Sequence, residues 1–166
     1  MKITQELMDE LTAKAKASPR LRMNYDLRNS DTDQSQRMLN AIEPGSPLPI
    51  HRHMKSSETV VCLRGRLVEE YYREVERVQG VQGVQGGEEV QGVQGVQEGK
   101  GVQGVQEVQG VEKVQEIELS PNGPVVALNI PIGQWHTVRA LESGTVILET
   151  KDGAYEPLSD SDVLKL

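Results

Sequence analysis

The chain has 166 residues, of which 26% are charged and 36% hydrophobic, a composition that suits one globular domain. Its formal net charge of −7 disfavours binding to nucleic acid or to an anionic membrane surface. No stretch approaches the roughly 20 consecutive apolar residues of a transmembrane helix, and the first residues lack the apolar centre of a secretory signal. Because Cys62 is the only cysteine, neither an intrachain disulfide nor a thiolate metal cluster is expected. These features favour a cytoplasmic location.

The first predicted element is an amphipathic helix over residues 3–17. Thr4 is a suitable N-cap, Ile3 and Met8 have the spacing of a hydrophobic staple, and Pro19 ends the helix. The apolar stripe recurs every four residues, at Ile3, Leu7, Leu11 and Ala15.

Short β-prone runs separated by turn residues follow the helix and indicate a β-sandwich or a β-barrel. The runs are RLRMNYDL, SQRMLNAI, TVVCLRG and RLVEEYY and, after residue 116, IELS, PVVALNIP, WHTVRAL and GTVILETKD. Glycines and prolines such as Pro44, Gly65 and Gly133 divide them. The tail from Gly153 onward is polar, and we expect it on the surface.

A low-complexity tract of VQG and VQE triplets, residues 78–116, separates the two β-rich blocks. Valine recurs with a period of three, interrupted by glycine at positions 87 and 99, and this period matches neither a helix face nor a strand face. A 3₁₀-helix would align the valines, but such runs rarely exceed a turn, and a collagen-like helix would need proline. A β-solenoid rung is an alternative that would require several stacked repeats. We predict a solvated, glycine-rich loop inserted between two strands.

The sequence therefore predicts one β domain with an insertion. Residues 1–19 supply a helix packed on its outside, residues 20–77 and 117–166 form the domain, and residues 78–116 are the insertion.

Candidate metal ligands lie in the stretch GSPLPIHRHMKSSETVVCLRG. His51 and His53 are two residues apart, so on a strand both imidazoles point to the same side. Glu58 opens the next apolar run, and an antiparallel partner strand can bring its carboxylate near them. His136, in IPIGQWHTVRAL, is the remaining histidine of the chain. Imidazole and carboxylate ligands suit one divalent ion (Fe, Zn, Mn, Ni or Co) and leave positions open for water or substrate.

These two stretches resemble the two motifs of the cupin superfamily. The first stretch agrees with its motif at every spacing from Gly45 to Gly65. The second agrees over residues 131–136. It departs at Gly123, which lies further upstream than is usual, and at Ala140, where asparagine is usual.

Beyond the motifs, residues 1–77 and 117–166 are similar to the WbuC-type cupin fold metalloproteins, in segments such as SPRLRMNYDLR, SETVVCLRGRL and ALNIPIGQWHTVRALE. The resemblance implies an all-β cupin jelly-roll or β-barrel of antiparallel strands with an N-terminal helix, and a metal near the barrel mouth. It also implies a role in bacterial surface-polysaccharide (O-antigen) metabolism without a defined reaction. Because cupins often pair through sheet edges, a homodimer is left open.

Two functions remain open at this point. As an enzyme, the protein would use the metal as a Lewis acid to isomerise or epimerise a sugar derivative, or would use Fe and oxygen as a dioxygenase. The alternative is a non-catalytic, metal-dependent module that binds a sugar or another ligand. In either case the partner is a small polar molecule, and no further general base is evident in the sequence.

Arg37 and Asn40 are the candidate substrate-binding residues. They lie on the predicted strand before Gly45, from which they could face the cavity. Arg37 would then hold an anionic group; a surface ion pair is its alternative role.

Overall fold

The computed structural model describes residues 1–78 and 107–164. Within these ranges there is one α-helix, a 3₁₀ turn at Asp160–Asp162 and ten strands in two sheets. None of the described helices is both long and apolar enough to cross a membrane. The elements are α1 (Gln5–Ala17), β1 (Arg22–Asp26), β2 (Ser35–Ile42), β3 (Ile50–His51), β4 (Glu58–Arg64), β5 (Leu67–Val78), β6 (Glu107–Leu119), β7 (Ala127–Ile130), β8 (Trp135–Ala140), β9 (Thr145–Asp152) and β10 (Val163–Leu164).

The two sheets enclose the main hydrophobic core. One sheet has the strand order β1-β2-β9-β4-β7, and the other has the order β10-β3-β8-β5-β6. Buried side chains from both sheets pack together between them. This two-layer arrangement confirms the predicted all-β class with an N-terminal helix. The core residues are Ile42, Val60, Cys62, Leu67, Leu119, Ile130, Ala140 and Ile147.

Helix α1 packs on the outer face of the first sheet. Met8, Leu11 and Ala15 are each at most 4% exposed and join a second cluster with Leu39 of β2 and Val146 of β9. A second apolar layer therefore covers the face of the sheet that the main core does not use.

The helix begins as predicted, but its apolar stripe is displaced. Thr4 is the N-cap, and its Oγ1 accepts a hydrogen bond of 3.3 Å from the backbone N–H of Leu7. Ile3 lies before this cap and is 42% exposed, whereas Met8 and Thr12 are buried. The buried face thus follows the i, i+3, i+4 pattern of a helix on a sheet and starts at Met8 rather than at Ile3.

Each of the eight predicted β-prone runs contains a strand, but β3 and β10 lie outside those runs. β10 pairs antiparallel with β3, so that Val163 lies opposite His51 and Leu164 opposite Ile50. Two-residue strands are too short to show an alternating pattern, which is why the sequence did not indicate them.

Part of the VQG tract is a strand. Residues 107–116, which the sequence assigned to the insertion, belong to β6, a neighbour of β5 in the second sheet. A ladder of backbone hydrogen bonds does not depend on a two-residue side-chain period, so the triplet pattern could not reveal it. The remainder of the predicted loop, residues 79–106, lies outside the described residues.

Contacts divide the chain into two units. The first comprises residues 1–73 and 113–166, and the second comprises residues 74–112, of which the structure describes only the strand ends. His51, His53, Glu58 and His136 all belong to the first unit.

The turn between β4 and β5 requires glycine at position 65. Gly65 has a φ of +77°, and a Cβ added there would lie 2.4 Å from the Oγ1 and 2.8 Å from the Cα of Thr145. Thr145 is fully buried, and its hydroxyl donates a 2.8 Å hydrogen bond to the carbonyl of Glu142. The turn and the start of β9 are therefore packed too closely to admit a side chain.

Gly65→Ala should lower the free energy of unfolding by about 3 kcal/mol or more, because left-handed strain of about 1–2 kcal/mol adds to the clash with Thr145. The matched control is Gly153→Ala, which has a φ of +87° but no atom within 4 Å of the added Cβ. Gly153→Ala should lose only the unfolding free energy that corresponds to the left-handed backbone strain. Urea denaturation of both variants measures the difference, and equal losses would contradict this explanation.

Candidate metal centre

The three histidines and Glu58 meet inside the domain. His51, His53, Glu58 and His136 each offer one ligand atom, and these atoms all lie within 4.8 Å of one another. The ring centroids are 4.4 Å apart for His51 and His136, 5.0 Å for His51 and His53, and 5.7 Å for His53 and His136. The structure thus brings together all four residues that the sequence proposed as ligands.

Strand pairing explains this convergence. His51 on β3 lies directly opposite His136 on β8, whereas Glu58 opens β4 in the other sheet. His53 follows the end of β3, and its carbonyl accepts a 2.8 Å hydrogen bond from the N–H of Gly133. The turn of the second motif therefore holds the loop of the first motif, and the cluster bridges the two sheets.

The residue between the first two histidines points away from the cluster. The Nε of Arg52 donates to Asp162 Oδ1 at 3.1 Å, and its guanidinium carbon lies 4.4 Å from the ring centroid of Trp135. Trp135 is buried at the start of β8 in the second sheet. Because neighbouring residues alternate in direction, His51 and His53 share the inner side.

Backbone carbonyls orient two of the imidazoles. The Nδ1 of His51 lies 3.2 Å from the carbonyl oxygen of Pro49, and the Nδ1 of His136 lies 2.9 Å from that of Gln134. When each Nδ1–H donates to its carbonyl, the Nε2 keeps a lone pair that is available for a metal. The amide of Gln134 itself donates to the carbonyl of Tyr72 at 2.9 Å, which anchors this loop.

Glu58 supplies the negative charge of the cluster. Its Oε2 lies 2.9 Å from His53 Nε2, 3.7 Å from His136 Nε2 and 3.0 Å from Lys151 Nζ. Burial opposes ionisation, but the two imidazoles and the Lys151 ammonium outweigh it and hold the pKa of Glu58 well below its usual value. Burial and the neighbouring His136 lower the pKa of His51 to about 3. At neutral pH the cluster therefore combines a carboxylate with a neutral imidazole at position 51.

Lys151 is a site residue that the sequence reasoning missed. Its Nζ contacts Glu58 Oε2 at 3.0 Å and His53 Nε2 at 3.2 Å. A cation therefore already lies against two of the four ligands, which shows that the cluster suits a positively charged group. The signal was present on β9, where Ile147, Glu149 and Lys151 alternate onto the face that forms the core.

Comparison with known proteins identifies the fold. A family model described as a domain of unknown function, DUF6016, matches residues 3–82, and no curated protein matches the chain. The capsular polysaccharide assembling protein CapF from Staphylococcus aureus is similar in structure, with a TM-score of 0.51 and 15% identity over 90% of this chain and 32% of CapF. This protein has a cupin fold. The chain spans about a third of the length of CapF, and at this identity the likeness concerns the fold alone.

Two further solved structures show weaker similarity. KdgF from Halomonas sp. has a TM-score of 0.46 and 11% identity over 83% of this chain and 84% of its own. Oxalate decarboxylase from Bacillus subtilis, described with Mn(II) centres, has a TM-score of 0.44 and 13% identity over 87% of this chain and 28% of its own.

A cavity of about 310 Å³ lies beside His51. Of the two predicted substrate-binding residues, Asn40 lines this cavity but Arg37 does not. The Nη2 of Arg37 instead pairs with Asp33 Oδ2 at 2.5 Å. Since positions 37 and 40 are three residues apart on β2, their side chains point to opposite faces, and the ion pair is the role that the structure supports for Arg37.

Two further carboxylates lie in the interior near the cluster. Glu149 lines the cavity, and burial followed by the charge of Glu58 raises the pKa of Glu149 to about 7, against the opposing effect of Lys151. Glu69 on β5 is 1% exposed, and its Oε1 has no hydrogen-bond partner in the described parts of the chain. Burial and then the charge of Glu58 raise the pKa of Glu69 well above its usual value. Both groups can therefore hold a proton at or near neutral pH.

The pKa of Glu149 predicts how stability depends on pH. Its pKa rises from an ordinary 4.5 to about 7 on folding, so the folded state binds this proton more tightly than the unfolded state. The resulting stability is complete below about pH 4.5 and is lost as pH rises through about 7. Glu149→Gln should remove this loss, which amounts to at most about 3.5 kcal/mol for a shift of about 2.5 pKa units at about 1.4 kcal/mol per unit.

Denaturation of EDTA-treated protein at pH 5.5 and pH 8 checks this expectation. The variant should gain stability relative to the wild type at the higher pH. Glu70→Gln is the control, because that buried carboxylate bonds to Tyr72 and Arg139 and has a lowered pKa. If the free energy of unfolding of the wild type and of Glu149→Gln depends on pH in the same way, the raised pKa of Glu149 is contradicted.

Proposed function

We propose that this cupin binds one divalent metal ion through His51, His53, Glu58 and His136 and acts on a small polar, carbohydrate-derived molecule in the adjoining cavity. The observation that carries the proposal is the convergence of four ligand atoms within 4.8 Å beside a cavity of about 310 Å³. Three imidazoles and a carboxylate suit Fe, Zn, Mn, Ni or Co.

The interior carboxylates favour a catalytic role over simple ligand binding. A divalent ion bound here would supply a Lewis acid that polarises a carbonyl oxygen. Glu149 lines the same cavity as His51 and has a pKa of about 7, which suits a group that takes up and returns a proton. A binding module needs no such group. We therefore favour isomerase chemistry, in which Glu149 would take a proton from the carbon beside the carbonyl and return it to the former carbonyl carbon, while the hydroxyl proton passes from one oxygen to the other.

This proton movement needs no oxidant, reductant or co-substrate. The carbonyl and the hydroxyl exchange places, and the product is an isomer of the substrate. The requirements on the protein are therefore modest: a dry cavity, an oriented carbonyl oxygen and one carboxylate that titrates near neutral pH.

We further propose bacterial surface-polysaccharide metabolism as the setting. This proposal is supported by the resemblance of residues 1–77 and 117–166 to the WbuC-type cupins. CapF, which is described as a capsular polysaccharide assembling protein, shares the fold over a third of its length.

Metal content tests the proposal directly. Protein purified without added metal should contain one divalent ion per chain by elemental analysis. Glu58→Gln and His51→Ala should each lower the affinity at least about tenfold, since each removes one of four ligands. Glu70→Gln is the matched control and should retain the metal, because Glu70 is also a buried carboxylate but is bonded to Tyr72 and lies outside the ligand cluster. Metal that persists in both ligand variants would refute the site.

Lys151 should compete with the metal. Lys151→Met removes the ammonium that contacts Glu58 and His53, and a divalent cation should then bind about tenfold more tightly because like charges no longer repel. The metal-free variant should be less stable, since Glu58 loses a positive partner. Titration against a chelating dye gives the affinity, with Lys55→Met as the surface control. Unchanged or weaker metal binding would show that Lys151 does not compete.

A further inference from the structure

Two arginines line the cavity. Arg20 and Arg22 both border the space that His51 opens onto. The Nη1 of Arg22 donates to the carbonyl oxygen of Pro47 at 2.6 Å. Within the part of the chain that the structure describes, neither guanidinium forms an ion pair with a carboxylate.

The lack of a carboxylate partner distinguishes Arg20 and Arg22 from other arginines of this acidic protein. The net charge is −7, and six other arginines each pair with an Asp or Glu. Burial and then the charge of Arg20 lower the pKa of Arg22, so two like charges are held close together at the cavity. An anion between them would relieve this repulsion and satisfy the open guanidinium donors. The six paired arginines are Arg28, Arg37, Arg52, Arg64, Arg66 and Arg139.

The backbone between the two arginines adopts an unusual conformation. Leu21 has a φ of +53°, in the left-handed region that residues other than glycine rarely enter. Its N–H donates to the carbonyl of Ser18 at 2.9 Å, and its carbonyl accepts from the N–H of Glu43 at 2.9 Å. The hydroxyl of Ser46 donates to the carbonyl of Arg20 at 3.0 Å. Strain that neighbours enforce in this way is typical of ligand-binding segments.

We infer that Arg20 and Arg22 form an anion subsite for the carboxylate or phosphate of a small molecule whose other end reaches His51. The inference rests on the proposed function for the His51 end and specifies the substrate class. Asn24 and Asn40 line the same cavity and offer amide groups to hydroxyls.

The size of the cavity limits the ligand. About 310 Å³ is near the lower end of the range for small-molecule sites. The cavity therefore suits one hydroxylated acid or phosphate ester of monosaccharide size, with its anionic group at the arginines.

Calorimetric titration of the full chain tests the subsite, using glucuronate, glucose 6-phosphate and glucose as probes. At least one of the two anions should bind the wild type at least tenfold more tightly than neutral glucose. The tighter of the two identifies the anionic group as carboxylate or phosphate. Arg20→Gln should weaken that anion at least fivefold, and the double variant with Arg22→Gln should weaken it further. Arg28→Gln, which disrupts a surface pair with Asp26, should bind as the wild type does.

The single variant Arg20→Gln should still fold, because the side chain of Arg20 is exposed and no described contact depends on it. A loss of anion binding in this variant can therefore be attributed to the guanidinium. If neither anion binds the wild type, or if Arg20→Gln binds the anion as tightly, the inference is overturned. Titrations of both metal-loaded and EDTA-treated protein, with metal content measured on each sample, separate the two proposals. Arginine-dependent anion binding by a protein that takes up no metal would support the subsite and refute the metal centre.

Discussion

A carboxylate enclosed between two sheets is the constraint around which this protein is organised. Glu58 is 4% exposed, and an ionised carboxylate in such a place costs several kcal/mol unless positive or hydrogen-bonding partners surround it. His53, His136 and Lys151 supply those partners from three different segments of the chain. The groups that stabilise the buried charge are also the groups that would bind or exclude a cation, so the stability of the domain and its metal affinity depend on the same few atoms.

The cavity is lined by groups of opposite charge. Glu149 and His51 border it together with Arg20 and Arg22, which form no ion pair with a carboxylate in the described parts of the chain. A molecule that carries both a carbonyl and an anionic group would find a matching partner for each. Orientation is what an isomerase must control, because the proton has to leave and return beside the polarised carbonyl.

The sequence predicted well those features that depend on one element or one spacing. The Thr4 cap, the eight longer strands and the shared direction of His51 and His53 follow from local periodicity. The same reasoning could have shown that Arg37 and Asn40 do not both face the cavity, since a three-residue separation places the two on opposite faces of a strand. Alternation places Lys151 on the core face of β9, but its contact with Glu58 on the neighbouring strand and the position of Arg20 and Arg22 at the cavity required the fold, because alternation does not reveal which residues of different segments meet. The left-handed backbone at Leu21, which no local pattern indicates, likewise depends on hydrogen bonds to distant segments.

The short strand β10, at the end of the described chain, helps to hold the strand that carries His51 in place. It is the outer neighbour of β3, the two-residue strand that carries His51. Just before it, Asp162 holds Arg52 through both a backbone hydrogen bond of 3.0 Å and the side-chain contact at 3.1 Å. An affinity tag or fusion partner joined beyond residue 164 would therefore be expected to disturb β3 and the positions of His51 and His53. Purification tags for this protein are better placed at the amino end.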